Sequence, residues 1–334
     1  MKRLAVLALL LFLAAGCGTP QEQNQSHTVF AMDTVMTLTV YGQPAITESA
    51  LHEAEGEIHR LDHLLSVTDP ESEISILNES MGVSVSAETA ALLEKALEVS
   101  RLTNGAYDMT LGYITEAWGF RSEKPGVPDR ALITKLLSSC GYEHVQIAGR
   151  QVEIRPNMAV DLGGIAKGYA AERVMRILEK SGIESAVISL GGNVGTLGQK
   201  PGGDLWHVAV ESPDKTKDYD VVLLLDGGLF AVTSGGYERF FEEGGTIYHH
   251  ILDPDTGFPA QSDLKSVTIV SSDGTLADGL STALFVMGSE KATAFWRQHA
   301  GDFQMVLITE EGVFATPDLT LESNRDVNIL EAEP

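Results

Sequence analysis

Apolar and polar residues alternate from Val29 to Tyr41, the period of a half-buried strand, and the period lengthens immediately afterwards. Ile46, Ala50, Leu51, Ala54, Ile58, Leu61 and Leu65 recur at helical spacing, which predicts a long helix over 46–65. A second helix is predicted over 87–102, with Ser86 to cap its first turn and Gly105 beyond its end, and a third over 130–139 between Asp129 and Gly141. The first half is therefore expected to be mainly helical. Short strands at 144–147 and 151–154 read as a hairpin, followed by Val160, a glycine turn and a helix over 166–180. The later half is strand-rich, with runs at 186–190, 206–210, 221–225, 230–233, 246–252, 267–270 and 305–308, and with helices at 276–287 and 290–299. Strands and helices do not alternate regularly enough for a doubly wound parallel sheet, so the pattern predicts an α+β fold with mixed sheets and packed helices.

The N-terminus changes the picture of where the chain works. Met1-Lys2-Arg3 precedes an unbroken apolar run from Leu4 to Ala15 and then Gly16-Cys17-Gly18, the layout of an export signal. The run falls short of the roughly 20 apolar residues a spanning helix needs. Leu13-Ala14-Ala15-Gly16-Cys17 resembles the bacterial lipobox, in which the cysteine is lipidated, although Ala14 stands where leucine is usual. Plain secretory cleavage is the alternative. Residues 1–16 are expected to be a lipoprotein signal peptide and 17–28 a flexible polar tether, with the folded domain over 29–320 and a tail over 321–334. The expectation is an exported lipoprotein, anchored to the membrane and facing the periplasm or cell exterior.

Cys140 is the only other cysteine, so an exported protein here relies on its core without an internal disulfide. Acidic residues number 47 against 23 basic, a balance that offers no basic face for nucleic acid and suits divalent cations.

Several segments carry candidate chemistry. Asp161-Leu162-Gly163-Gly164-Ile165-Ala166-Lys167-Gly168 joins a strand to a helix, where glycines admit a ligand to the backbone and the helix N-terminus offers N–H groups to a phosphate. Its spacing is not the dinucleotide fingerprint, and a mere tight turn reads equally well. Lys167 suits a phosphate or simply a solvated charge. Asp278 and Thr282 lie four apart at the head of a helix, so both oxygens leave one face within reach of a hard cation, with Ser281 bordering it. The plainer reading is that Asp278 complements the helix dipole and Thr282 packs. His249 and His250 point to opposite faces of a strand, which argues against zinc and leaves one imidazole for acid–base work, although a strand histidine is more often structural. Two glycine-bearing aromatic turns, 103–108 and 233–240, are of the kind that line flat-ligand pockets.

In order and spacing these segments resemble the ApbE family of FAD:protein FMN transferases, from about Phe30 to Thr316. The resemblance rests on Ala31-Met32-Asp33-Thr34, Gly105 to Asp108, Asp161 to Gly168, Ser189 to Asn193, Thr233-Ser234-Gly235, His250 to Gly257, and Ala277-Asp278 to Gly288. It implies a compact two-lobed α+β unit. It implies FAD contacts at Met32, Ala106, Tyr107, Asp108, Asp161, Lys167, Ser234 and Leu252, and a Mg²⁺ site at the Gly164 carbonyl with Asp278, Ser281 and Thr282. It also implies that His250 helps activate the acceptor hydroxyl. Three positions depart from the family pattern: Asp33 replaces a usual glycine, Thr68 stands where some members place an aromatic, and Ser281 replaces a second carboxylate.

The activity implied is Mg²⁺-dependent transfer of FMN from FAD, as substrate, to a Thr or Ser of a partner protein. That partner would be a subunit of a membrane redox complex or another exported flavoprotein, with AMP released. An FAD pyrophosphatase and a non-catalytic FAD-binding lipoprotein are the rival readings.

Overall fold

In the computed structural model, which describes residues 23–215 and 217–332, nine strands form one sheet whose spatial order follows chain order. They are Gln23–Ala31, Thr34–Gly42, Ser185–Leu190, Asn193–Leu197, Phe230–Gly235, Leu264–Ser271, Gln304–Thr309, Val313–Ala315 and Val327–Ile329. Every neighbouring pair is antiparallel except the last, which is parallel. Seven helices accompany it among the described residues: α1 Pro44–Leu65, α2 Glu73–Ser80, α3 Ala87–Leu102, α4 Gly112–Trp118, α5 Arg130–Leu137, α6 Ala166–Lys180 and α7 Gly274–Gln298.

The central strands bury both faces, so their apolar residues run continuously while the period of two sorts them between layers. Met305 and Leu307 face the helical core with α1, α3, α6 and α7, whereas Val306 and Ile308 pack under a small sheet. That sheet is formed by Trp206–Glu211, Tyr219–Leu225 and Leu321–Ser323. A third cluster gathers around Trp118, whose indole N–H donates to the Gly257 carbonyl at 2.8 Å and whose ring meets Phe120, Phe241, Tyr248 and Phe258. The mixed α+β architecture agrees with the periodicity of the sequence.

Three expectations are corrected. The alternating run of 29–41 is a hairpin, with Met32 (φ 49°) and Asp33 (φ 58°) at its turn, so the glycine usual at the second position has a conformational reason and Asp33 occupies it as a residue that tolerates the left-handed region. Gln23–Thr28, expected to be tether, belong to the sheet's edge strand: paired backbone holds them despite their polar side chains. Residues 321–323 and 327–329, expected to lie in a tail, are sheet strands. The signal segment 1–16, Cys17 and the rest of the tether to Glu22 lie outside the described residues. The two helices expected over 276–299 are present as the two arms of α7, which meet at Gly288 (φ 78°), where the backbone leaves the helical region.

Candidate active site

The hairpin turn, the Gly105–Asp108 turn, the head of α6, the end of the Phe230–Gly235 strand and the start of α7 converge on one cleft of about 630 Å³. Among its walls are Met32, Ala106, Tyr107, Asp108, Asp161, Gly164, Lys167, Ser234, His250, Leu252, Asp278 and Thr282. Residues far apart in sequence thus share one cavity. Ser281 is the exception: it is fully buried behind the wall, with its hydroxyl donating to the Asp278 carbonyl at 2.8 Å and paired with the Ser234 hydroxyl at 2.8 Å. Thr68 lies exposed on the cleft, bonded to the Ser66 hydroxyl at 3.2 Å.

Helices α6 and α7 make the chemistry possible by touching backbone to backbone. A Cβ on Gly168 would lie 2.2 Å from the Gly274 carbonyl and 2.7 Å from Asp278 Cβ, so only glycine permits the crossing. That approach lets the Gly168 N–H donate to Asp278 Oδ2 at 2.8 Å, with Lys167 Nζ 3.9 Å from the other carboxylate oxygen. Asp278 caps a helix whose own N-cap, Ile165, has no side chain able to do so. Gly164 sits beside it, where a Cβ would stand 3.1 Å from Thr282 Oγ1 and 3.2 Å from the Tyr107 ring.

The opposite wall is held by charge. Met32 N–H donates to Asp62 Oδ1 at 3.0 Å, Arg121 bridges Asp161 (2.8 Å) and Asp33 (3.6 Å), and Arg239 donates to the Asp33 carbonyl at 3.3 Å. Asp161 also accepts the Gly163 N–H at 2.9 Å, fixing the glycine turn. Asp108 accepts N–H groups of Thr110 (2.8 Å) and Tyr142 (3.0 Å), while burial holds its carboxyl above the usual carboxylate range.

His250 lies just past the Thr246–His249 strand, which ends short of the 252 expected. Its Nδ1 is 3.1 Å from the Arg239 carbonyl and donates a hydrogen bond to it in the neutral tautomer, which leaves Nε2 with a free lone pair. Burial first, then the charges of Arg239 and Lys167, push its pKa down to about 3, so the ring is neutral at physiological pH. His249 points elsewhere, edge-on to Phe285 and bonded to the Ala260 carbonyl at 3.2 Å.

Three charged residues of the cleft escaped the sequence reading: Asp62, Arg121 and Glu211. They left no local signal, whereas Glu238 and Arg239 lie inside the 233–240 turn expected to line a pocket. Glu238 is exposed at the cleft, yet protein crowds its carboxyl. Burial and the negative charges of Asp278 and Glu211 outweigh Lys167 and Arg239, raising its pKa to about 7.

Seven carboxylates line the cleft (Asp33, Asp62, Asp108, Asp161, Glu211, Glu238, Asp278) against three basic side chains, Arg121, Lys167 and Arg239. An anionic ligand brought in alone would meet an excess of negative charge. A hard cation resolves this, and the donors suit one: Asp278 Oδ1, the Thr282 hydroxyl, which has no hydrogen-bond partner among the described residues, and the Gly164 carbonyl, which the Gly168 N–H passes over in favour of Asp278.

The ApbE family model matches residues 32–307. The FAD:protein FMN transferase of Treponema pallidum (strain Nichols) is 32% identical, covering 94% of this chain and 93% of its own length. That of Vibrio cholerae serotype O1 is 33% identical, covering 92% and 94%. Among solved structures, the ApbE protein of Thermotoga maritima superposes with a TM-score of 0.80 at 33% identity, over 90% of this chain and 97% of its own. The flavin transferase ApbE of Vibrio cholerae gives 0.78 at 28% identity, over 90% and 97%.

Proposed function

The chain belongs to the ApbE family, and from that premise we propose that it is an FAD:protein FMN transferase, moving FMN from FAD onto a Thr or Ser hydroxyl of an acceptor protein and releasing AMP. The observation that carries this reading is the juxtaposition, in one cleft, of the glycine turn and Lys167 at the head of α6, the carboxylate of Asp278 beside the Thr282 hydroxyl, and a neutral imidazole.

The acceptor oxygen attacks the phosphorus on the FMN side of the pyrophosphate. The bond from that phosphorus to the bridging oxygen breaks, its electron pair leaves on AMP, and the hydroxyl proton passes to a base in the cleft. Asp278, Thr282 and the Gly164 carbonyl would hold Mg²⁺, which supplies charge neutralisation of the phosphate oxygens. Lys167 orients the phosphates by charge. Arg121 and Arg239 fix the Met32–Asp33 turn over the bound nucleotide. His250 Nε2 accepts a hydrogen bond from the attacking hydroxyl and aims its lone pair. A base with a pKa of about 3 aligns a hydroxyl better than it removes its proton, and Glu238, poised near 7, is the better-matched acceptor for the proton itself.

We place the activity outside the cytoplasm. The 1–16 leader, the lipobox-like run ending at Cys17 and the mostly polar residues that follow support an enzyme tethered by lipid to the membrane, acting on exported or membrane-bound flavoprotein subunits. No helix among the described residues is long and apolar enough to cross a membrane.

The test is incubation with FAD, Mg²⁺ and a candidate acceptor, followed by intact mass of the acceptor and assay of AMP. A gain of one FMN phosphoryl adduct with stoichiometric AMP is expected. AMP without an adduct on any acceptor would make the protein a pyrophosphatase, and FAD binding without AMP would make it a carrier.

A further inference from the structure

Outside the cleft, one group of side chains has the composition and spacing of a transition-metal site. Glu48 and His52 stand four apart on α1, so both leave the same face of the helix. His27 reaches them from the edge strand Gln23–Ala31, its Nε2 3.7 Å from Glu48 Oε1. His52 Nε2 lies 3.1 Å from that same oxygen, and all three ligand atoms fall within 4.8 Å of one another. In a tetrahedral zinc site with bonds of about 2.0–2.1 Å, neighbouring ligand atoms are about 3.3 Å apart, so two of the three edges are already within a few tenths of an ångström of that value.

A second feature points the same way. His27 Nδ1 is 3.2 Å from Glu55 Oε2, a carboxylate further along α1. An imidazole whose Nδ1 is held by a carboxylate has its ring orientation fixed and turns Nε2 toward a metal, the arrangement that surrounds ligating histidines generally. The two rings meet edge to face at 5.0 Å, both presenting Nε2 to Glu48. None of these residues borders the cleft.

We propose that His27, Glu48 and His52 bind a borderline divalent transition ion, Zn²⁺ by the chemistry of two imidazoles and one carboxylate, and that the ion clips the edge strand Gln23–Ala31 to α1. Mg²⁺ does not compete, because it prefers an all-oxygen shell and retains its waters. Two protein elements and an open fourth position for water make it a structural clip whose occupancy orders the strand next to the N-terminal tether.

The experiment is calorimetric titration of the metal-stripped full chain with Zn²⁺ in saturating Mg²⁺, alongside His52→Ala and Glu48→Gln, with hydrogen exchange followed over residues 23–31. His52 is 65% exposed, so its replacement leaves the metal-free melting temperature unchanged, and that measurement is made first. The expected result is one micromolar Zn²⁺ site in the parent, weakened tenfold or more in both variants, with Zn²⁺ slowing amide exchange in the strand of the parent alone. Binding to Cys17 or to the cleft carboxylates would persist in His52→Ala. Parent-like Zn²⁺ binding in that variant, or a parent that takes up no Zn²⁺, overturns the site; uptake without slower exchange in 23–31 overturns the clip.

Discussion

Gly168→Ala tests whether the backbone contact between α6 and α7 sets the geometry of the cleft. In a helix interior, alanine is favoured over glycine by about 1 kcal/mol, so on local grounds the change should stabilise. The added Cβ, however, would stand 2.2 Å from the Gly274 carbonyl oxygen and 2.7 Å from Asp278 Cβ. Neither neighbour is the end of a flexible side chain. Reaching ordinary van der Waals distance requires the helices to part by about 1 Å, against a close-packed core. Overpacking of this kind costs about 1–3 kcal/mol, and a backbone-on-backbone contact belongs at the upper end, leaving a net loss of about 2 kcal/mol after the helix-propensity gain. That is a fall in melting temperature of about 4 °C or more. The same displacement carries Asp278 and Thr282, both on α7, away from the Gly168 N–H and from Gly164, and misplacing a reacting group by about 1 Å can cost about 10²-fold in rate. The assay is urea or thermal unfolding with AMP release from FAD on the same preparation. A variant that melts at or above the parent and turns over within about twofold of it would refute the reasoning.

Asp278→Ala should abolish Mg²⁺-dependent turnover and destabilise α6 by about 1 kcal/mol through loss of its cap, checked by metal titration of activity and by melting; metal-independent turnover equal to the parent would exclude the site. His250→Ala should leave FAD affinity within a few-fold while transfer falls by about 10²-fold through loss of hydroxyl alignment, measured by fluorescence titration and acceptor mass. The pH–rate profile of the parent should lack the histidine inflection near 6.5 expected of an ordinary imidazole, since His250 is neutral down to about 3. A carboxylate held at about 7 becomes a competent base as pH rises through that value, so the rate should climb there, with an inflection lowered by a bound cation and absent in Glu238→Gln. Cys17→Ser should release the protein from membranes without altering its melting temperature or FAD binding, and retention on membranes would remove the lipid anchor.

Much of this fold is legible in local signals. Helix α3 begins and ends where the pattern predicts because Ser86 accepts the Thr89 N–H at 3.1 Å and apolar spacing persists to Leu102. Helix α6 does so because its amphipathic period is unbroken between Ala166 and Lys180. The turn at Met32–Asp33 is invisible in the sequence because neither residue is a glycine and tertiary bonds from Asp62, Arg121 and Arg239 hold it. Polar composition misleads over Gln23–Thr28 because an edge strand needs only one partner for its backbone and tolerates polar side chains on its open face. In the site, aspartates and glycines at turns are readable from their types and spacing. The neutrality of His250, the burial of Ser281 and the approach of Glu238 depend on which elements meet, and that information is distributed over the whole chain.

The edge strand has a mechanical meaning too. Gln23 pairs with Gly42 at the open end of the hairpin, so tension on the preceding residues would load that rung first and then peel the strand one rung at a time toward the Met32–Asp33 turn. Unzipping in this direction opposes the pull with single rungs, unlike shear, which recruits them all together. The side chains in its path that grip α1 are Gln25, hydrogen-bonded to the Thr47 hydroxyl, and His27, held by Glu55. Beyond these, the strand runs into a turn residue, Met32, that lines the cleft. A pull between globule and membrane would therefore be stopped at α1, or else be felt at the nucleotide.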